Sequence, residues 1–598
     1  MEKPDNRQTG FGPSTSQGII LTEERTHAVP GTFENKHKER LPEDTIRIIK
    51  SFFEEEGFDI KETAMYDTGV GIYSCTITLN YKGHQIGLSN GKGVTGLYSK
   101  ASAYAELYER FCLLEFQDEP LSLSYLYDGC NTRNIKELTA FYHAIYRTGK
   151  KGVLDKTLAY LYGEEMPVVP FDSLTGGEPA YLNPLVMINI DGSNGMAAGN
   201  TLEEALVQGY SEIFERYVEE KIFYGEKVLK KVPLALLEKE FTWAAEKTKE
   251  LLKKGFHISF YDASERTGLP VMSSLCIDLK RGQHYINIGA SPCFETALER
   301  TITETFQGIG NIEEEAAKFI PNVAFKDHSL KAYEQFTMNG MQISSEEPFI
   351  GCEDVTEINR DVYIQRNAGN HLQLERIKAI AEKESIHLYH RDFSLHKDIK
   401  AVFCASPELN NVLIKDSEML LDEGLQAANE FISFTKKKQH TYGECIRLLE
   451  LVDCFLPMES RIVFDSYYYS PVQRNIVSYV QFALSIKLGE FKKAEEIGLM
   501  ELTESAKKCL LIKHMVCYIT YLNQGYTKEK IREMLTLWQV PENIITALER
   551  NDESFDKTFI FDVIYGAEYE KRKEASEEIF MKVLTLRKNL LTVNAEMR

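Results

Sequence analysis

The chain has 598 residues, of which 43% are hydrophobic and 27% are charged, and its formal net charge is −21. This length is too great for one hydrophobic core and predicts a soluble globular protein of two to four domains. The acidity argues against direct nucleic-acid binding, because phosphates would be repelled, but it suits a basic protein partner.

The cysteine pattern and the N-terminal segment indicate the cellular location of the protein. Eleven cysteines form neither C-x-x-C pairs nor clusters with zinc spacing, which predicts reduced, buried thiols in a cytoplasmic protein. No apolar run reaches the roughly 18 residues that a membrane span requires. Residues 1–30 are polar and lack an apolar core, so we expect a disordered tail and not a secretory signal.

The first structural unit is a strand, a loop and a helix. Helical periodicity predicts a helix over residues 41–53, and alternation predicts strands over 73–79 and 84–88. A glycine-rich loop is then expected over 87–93, followed by an acidic helix over about 97–114. Such a unit can place backbone N–H groups near a phosphate.

The same order of elements recurs twice. A strand is expected over residues 181–190, a glycine loop over 192–200, and then a helix to about residue 223, with Thr201 and Glu204 forming a capping box. A third unit begins with a strand over 285–289, continues through a loop over 290–292 and ends in a third acidic helix. The recurrence predicts an α/β core built from pseudo-repeated units.

Each of the three helices carries two oxygen-bearing side chains three residues apart, which places them on one helix face. For a single copy, a solvated face making local salt bridges is the usual interpretation. In the first two helices, apolar residues surround the acids on several sides, which predicts burial, and buried carboxylates require a partner. The pattern therefore favours a cation-and-phosphate site. The pairs are Glu106 with Glu109, Glu212 with Glu215, and Glu304 with Gln307.

Two other motifs give weaker signals. Residues 90–93 (Asn-Gly-Lys-Gly) nearly match a P-loop, but a glycine stands where the magnesium-binding Ser or Thr belongs. His390, Arg391 and Asp392 mimic the catalytic loop of protein kinases. The accompanying kinase motifs are missing, so we reject a kinase.

From about residue 420 onward, the pattern is helical. Residues 488–494 resemble part of a tetratricopeptide hairpin, with a weaker echo near Gly525. This favours a helical-repeat domain, with an ordinary helical bundle as the alternative.

Three sequence blocks resemble the YcaO family of ATP-dependent peptide-modifying enzymes, and the resemblance extends over about residues 38–420. The blocks comprise residues 90–93 with 102–110, residues 193–201 with 204–205 and 211–217, and residues 297–308. The resemblance implies an α/β (α+β) catalytic domain at residues 31–420, after the tail of residues 1–30. An all-α, tetratricopeptide-like domain is expected at residues 421–598.

The resemblance also implies a site for ATP and Mg²⁺. The candidate catalytic and metal-binding residues are Glu106, Glu109, Glu212, Glu215, Glu304 and Gln307. The candidate ATP-binding residues are Lys38, Thr45, Ser102, Arg110, Asn200, Glu204, Arg216 and Arg300. Ala197 departs from the family pattern, because some relatives carry serine there. This puts one hydroxyl contact to the nucleotide in doubt, but not the site.

In this family, ATP phosphorylates a backbone amide oxygen, and a nucleophile then attacks the carbonyl carbon. The chain lacks the proline-rich tail of azoline-forming members, since its last proline is Pro541. Members with a helical C-terminal domain are associated with β-methylthiolation of a small-subunit ribosomal protein. The expected partners are a peptide or protein substrate such as a basic ribosomal protein, a radical methylthiotransferase and a second copy in a homodimer, with no nucleic acid or membrane. The alternative is an ATP-regulated scaffold that recruits a modifying enzyme.

Overall fold

The computed structural model describes most of the predicted catalytic region and part of the helical region. The described residues are 38–113, 131–135, 164–184, 187–188, 192–307, 347–364, 368–410, 482, 485–486, 488–500, 510–550, 578, 582 and 585–586. The predicted disordered tail of residues 1–30 lies outside them.

The first sheet is antiparallel and carries two helices. Its strands are β1 (Asp59–Asp67), β2 (Tyr73–Tyr81) and β3 (His84–Gly93), in that order. Helices α1 (Pro42–Glu55) and α2 (Gly96–Cys112) pack on it and on each other. Their shared core contains a cluster of edge-to-face aromatic rings: Phe52, Phe53, Phe58 and Phe111.

The second sheet separates two hydrophobic cores. Its strand order is β4 (Asn131–Asn134), β5 (Glu165–Ser173), β12 (Tyr389–Asp392), β13 (Lys400–Ala405) and β7 (Met196–Gly199), with β6 (Ala180–Leu182) paired to β5. Helix α3 (Leu202–Phe223) packs on β7 and β13. Alternate residues of β7 and β13 therefore enter opposite cores: Ala197, Val402 and Cys404 on the α3 side, and Met196, Ala198 and Phe403 on the α2 side.

The third sheet lies beside α3. Its strand order is β11 (Gln283–Ala290), β10 (Val271–Asp278), β9 (Phe256–Asp262) and β8 (Lys230–Val232). The elements around it are α4 (Leu234–Glu240), α5 (Thr242–Lys253), α6 (Ser264–Thr267), α7 (Phe294–Thr305), a 3₁₀ turn (Glu347–Phe349) and α8 (Asn370–Glu384). Among the described residues, all strand ladders in the three sheets are antiparallel. The mixed fold expected for the family is thus confirmed, in an α+β arrangement.

The predicted glycine loop over residues 87–93 is wrong, because these residues belong to β3. A Cβ atom added to Gly91 would overlap the Ser99 carbonyl oxygen and the Ala103 nitrogen of α2. The glycines therefore allow the strand and the helix to approach closely, and no turn is needed here. The helix prediction is confirmed, and Thr95 caps it by accepting a hydrogen bond from the Tyr98 N–H.

The predicted strand over residues 181–190 is also largely wrong. Strand β6 ends at Leu182, and residues 184, 187 and 188 are helical. The second glycine loop is shorter than expected, because a turn over residues 192–195 leads directly into β7. These elements bury side chains on both faces, so the sequence shows an apolar run without the period of a strand or of a helix. Such a run does not by itself distinguish a strand from a helix.

The predicted cap of α3 is present in part. The Thr201 hydroxyl accepts a hydrogen bond from the Glu204 N–H at 3.2 Å. The Glu204 carboxylate makes its hydrogen bonds elsewhere, to the backbone N–H of Glu39 and the side-chain amide of Asn200. The capping box is therefore half formed, which leaves the Glu204 carboxylate available for the site.

The described part of the C-terminal region consists of helices that pack around their own core. They are α9 (Phe491–Met500), α10 (Leu510–Asn523), α11 (Lys528–Leu537) and α12 (Glu542–Arg550). Further along, Glu578 contacts Tyr81 and Lys82 of the first sheet region, and Lys582 donates to the Glu56 carbonyl. Glu578 and Lys582 therefore connect this part of the chain to the first sheet and to the end of α1.

Two expectations from the sequence concern membrane-spanning helices and the cysteines. Within the described ranges, no helix is both long enough and apolar enough to cross a membrane. The cysteines that the structure describes are free thiols, and most are buried: Cys75, Cys112, Cys276, Cys293 and Cys404.

The close approach of β3 to α2 predicts that Gly91→Ala destabilises the protein. The added methyl group forces the strand and helix apart, which typically costs about 1–3 kcal/mol. The matched control is Gly96→Ala, in the first turn of α2, where an added Cβ meets the Met65 side chain at 3.9 Å and the Tyr73 ring at 4.0 Å, both ordinary van der Waals contacts. Thermal unfolding should show a lowered Tm for Gly91→Ala alone, and equal Tm values would contradict this packing.

Candidate functional site

One cavity of about 470 Å³ lies where α2, α3 and α7 converge at the β7 edge of the second sheet. All fourteen residues proposed from the sequence line this cavity. They are Lys38, Thr45, Ser102, Glu106, Glu109, Arg110, Asn200, Glu204, Glu212, Glu215, Arg216, Arg300, Glu304 and Gln307. The three acidic segments are therefore close in space, although they are far apart in sequence.

Helix α2 contributes two carboxylates and a guanidinium group. Arg110 Nε lies 3.6 Å from Glu109 Oε1, and Arg110 Nη2 lies 3.8 Å from Glu106 Oε1. The Glu109 side chain is 13% exposed and that of Glu106 is 36% exposed. These acids face the cavity and keep a local cationic partner, Arg110.

Helix α3 contributes two partly buried carboxylates, those of Glu212 and Glu215. Burial raises the pKa of Glu212 from an ordinary 4.5 to about 7, against the opposing effect of the Arg216 guanidinium. Glu215 accepts a hydrogen bond from the Ala290 N–H at 3.1 Å, which links α3 to the end of β11. Arg216 donates to the buried carboxylate of Glu219 at 2.7 Å.

The third segment differs from the sequence-based expectation in one respect. Glu304 lies in the last turn of α7, but Gln307 follows the end of the helix. The Gln307 side chain donates to the Asn90 carbonyl of β3 at 3.1 Å. Arg300 donates to the Gln208 side chain and to the Ala290 carbonyl, each at 3.1 Å. Segment α7 is thereby connected to both α3 and β3.

The N-terminal side of the cavity is organised around Glu204, whose side chain is 4% exposed. Its carboxylate pairs with Lys38 Nζ at 3.1 Å and accepts hydrogen bonds from the Asn200 amide. The Thr45 hydroxyl donates to Asn200 Oδ1 at 2.8 Å. Helix α1, the segment before it and the start of α3 are thus joined by polar side chains.

Several cavity residues were missed in the sequence analysis. Gln208 and Ser211 line the cavity and precede Glu212 by four residues and one residue. Glu219 does not line it but accepts a hydrogen bond from the lining Arg216, three residues earlier. Helical spacing could have indicated Gln208 and Glu219. Lys92 was noticed only within residues 90–93, as part of a near-match to a P-loop and of the first family block, and was given no role in the site. Its ammonium group pairs with Glu304 of α7, a contact that no local pattern predicts.

The charges of the cavity nearly balance. Among its described lining residues, seven carboxylates face six cationic side chains, so much of the acidity is neutralised internally. They are Glu106, Glu109, Glu204, Glu212, Glu215, Glu299 and Glu304, with Lys38, Arg40, Lys92, Arg110, Arg216 and Arg300.

The side chains that line the cavity suit a ligand that contains both phosphate groups and a metal ion. Within the described part of the chain, no three Asp, Glu, His or Cys side chains are already gathered around a metal position. The carboxylates instead pair with cations, but carboxylate oxygens suit Mg²⁺ and guanidinium groups suit phosphate. The buried Ser211 hydroxyl, which lines the cavity, makes no hydrogen bond, and buried polar atoms are usually paired.

A cavity that combines carboxylates with guanidinium groups suits a ligand made of phosphates and a divalent metal ion. Residues 90–410 match a family model described as "YcaO cyclodehydratase, ATP-ad Mg2+-binding". The match covers more than half of the chain, so the protein belongs to the YcaO family, and its cofactors are ATP and Mg²⁺. Enzymatic activity is supported at the level of the family.

Two curated relatives match the chain at similar levels. One is the "Ribosomal protein S12 methylthiotransferase accessory factor YcaO" of Escherichia coli K12, 29% identical over 303 residues, which cover 46% of this chain and 49% of the relative. The other is an uncharacterized protein of Haemophilus influenzae, 29% identical over 301 residues, which cover 45% and 49%. The chain thus spans about half the length of these relatives.

Two solved structures are also similar to the chain. A heterocyclase in complex with substrate and cofactor has a TM-score of 0.45 and 18% identity, over 63% of this chain and 53% of that chain. YcaO from Methanopyrus kandleri, bound with AMPPCP and Mg²⁺, has a TM-score of 0.42 and 18% identity, over 64% of this chain and 96% of that chain.

The raised pKa of Glu212 predicts a specific dependence of stability on pH. Because the folded-state pKa exceeds the ordinary value, the contribution of Glu212 to stability is full below about pH 4.5 and is lost as pH rises through 7. Glu212→Gln should therefore gain stability relative to the wild type across this range, by roughly 1–3 kcal/mol at pH 8.

Denaturant unfolding at pH 5 and pH 8 measures this difference. Glu203→Gln is the control for the chemical change, because Glu203 lies on the same helix with a side chain 47% exposed. An advantage of Glu212→Gln that is the same at both pH values would show that Glu212 is not desolvated in the folded protein.

Proposed function

We propose that the chain uses Mg-ATP to activate the oxygen of a peptide backbone amide for post-translational modification. Bound Mg-ATP would supply the phosphoryl group that turns the amide oxygen into a leaving group, and a nucleophile would then attack the carbonyl carbon. The observation that carries this proposal is the convergence of three acidic segments, with Arg and Lys side chains between them, on one cavity.

The proposed roles follow from the chemistry of the side chains. The oxygen donors Glu106, Glu109, Glu212, Glu215, Glu304 and Gln307 would hold Mg²⁺. The remaining candidates would bind the nucleotide: Lys38, Thr45, Ser102, Arg110, Asn200, Glu204, Arg216 and Arg300. The guanidinium groups would offset charge on the transferring phosphoryl group, and the carboxylates would hold the metal ion.

We further propose a catalytic domain over residues 31–420 and a tetratricopeptide-like domain over residues 421–598. The packed helices α9 to α12 support a helical C-terminal region. The contacts of Glu578 and Lys582 with the first sheet region and α1 support an attachment between the two domains that holds α1 in place. Helix α1 carries Thr45, one of the proposed nucleotide-binding residues, so this attachment would also support that part of the cavity.

A finer role follows from one relative. We propose that the chain assists a radical methylthiotransferase in β-methylthiolation of a small-subunit ribosomal protein. The printed name of the Escherichia coli relative supports this role, as does the net charge of −21, which suits a basic partner. The homodimer stays a prediction from the family resemblance.

The metal-binding role of the carboxylates predicts that Glu215→Ala weakens Mg-ATP binding at least about tenfold, because it removes an anionic oxygen ligand. Titration calorimetry with ATP, with and without Mg²⁺, measures this effect. The matched control is Glu226→Ala, beyond the end of the same helix, whose carboxylate pairs with Lys221 at 3.0 Å and does not line the cavity. Equal Mg-ATP affinity in the two variants would place the site elsewhere.

The enzyme and scaffold hypotheses predict different outcomes in cells. Mass spectrometry of ribosomal proteins and small peptides from a deletion strain should reveal a modification that the parent strain carries. If amide activation is the function, Glu215→Ala expressed in that strain does not restore the modification, whereas Glu226→Ala does. Restoration by both variants would favour a scaffold for which ATP turnover is dispensable.

A further inference from the structure

Lys92 of β3 pairs with an acidic side chain of the cavity, and the strand holds it there. Its neighbours Gly91 and Gly93 pack tightly against α2, where an added Cβ would collide with backbone atoms of Ser99. Because successive side chains of a strand point to opposite faces, Lys92 is directed away from this contact and lines the cavity. Close packing of its neighbours therefore fixes the position from which the lysine side chain extends.

The surroundings of Lys92 come from all three acidic helices. Its ammonium group pairs with Glu304 of α7. Glu106 of α2 and both Glu212 and Glu215 of α3 attract it, whereas Arg300 repels it. Burial and Arg300 lower the pKa of Lys92 to about 8, so most of the side chains still carry a positive charge at pH 7.

The same carboxylates that attract Lys92 are the proposed metal ligands. An ammonium group and a metal ion cannot share the same carboxylate oxygens at close range, because their charges repel each other. Lys92 must therefore leave Glu304 before that carboxylate can bind Mg²⁺. A triphosphate is the ligand that would offer the displaced ammonium group a new anionic partner.

We propose that Lys92 is an internal counter-ion that occupies the carboxylate set in the absence of nucleotide and moves to the phosphates when Mg-ATP binds. This inference rests on the proposed Mg-ATP site. The movement of Lys92 makes the binding of metal and of nucleotide cooperative. The nucleotide removes the competitor of the metal, and by linkage the metal frees Lys92 for the nucleotide. Mg²⁺ alone should then bind poorly.

The test is Mg²⁺ binding without nucleotide, measured by calorimetry and by the Mg²⁺-dependent shift of Tm. In Lys92→Met, which keeps most of the length of the side chain but not its charge, the affinity for Mg²⁺ alone should rise at least about tenfold. The affinity for ATP should fall in the same variant. The matched control is Lys100→Met on α2, which removes a lysine that pairs with Glu62 at 2.7 Å outside the cavity.

A second variant separates charge balance from a general packing defect. Lys92→Met/Glu304→Gln removes one charge of each sign and should recover the Tm that Lys92→Met loses. Equal affinity for Mg²⁺ alone in wild type and Lys92→Met would overturn the proposal, as would failure of the double variant to recover stability. If instead the wild type does not bind Mg-ATP, the proposed function itself fails, which the parallel ATP titration shows.

Discussion

Repulsion among carboxylates is the constraint on which this structure depends. Three helices bring acidic side chains into one partly enclosed cavity, where like charges interact more strongly than in water. The protein offsets this repulsion in three ways: with guanidinium groups on the same helices, with the lysine of β3, and by holding the Glu212 pKa near 7. The cavity is thus nearly balanced in charge, and most of the proposed metal ligands contact another group of the protein.

Close packing of strands and helices brings the acids together. In each unit, a glycine near the end of a strand lies against the helix that follows. An added Cβ would meet Ala103 from Gly91, Ala205 from Gly199, and Ala297 or Arg300 from Gly289. These contacts hold the three helices close to their strands, so that the polar faces of the helices meet at the cavity. The glycines therefore act through packing, and the carboxylates define the chemistry.

Much of the site could be predicted from the sequence, because helix spacing and N-terminal caps are local properties. The pairs Glu106/Glu109 and Glu212/Glu215 and the Thr201 cap are confirmed as parts of helices. The extended conformation at Gly91 and the helical residue 187 were not predicted, since both depend on packing against other elements of the fold. Lys92 was missed for the same reason: its partner, Glu304, follows more than two hundred residues later.

The most direct test of the central claim is the position of bound metal. Crystals grown with Mn²⁺ in place of Mg²⁺, together with a non-hydrolysable ATP analogue, would give anomalous peaks at the metal ions. We expect each peak within about 2–2.5 Å of side-chain oxygens, with ligands drawn from α2, from α3 and from the Glu304–Gln307 segment. Peaks outside this cavity, or metal held by one helix alone, would contradict the account.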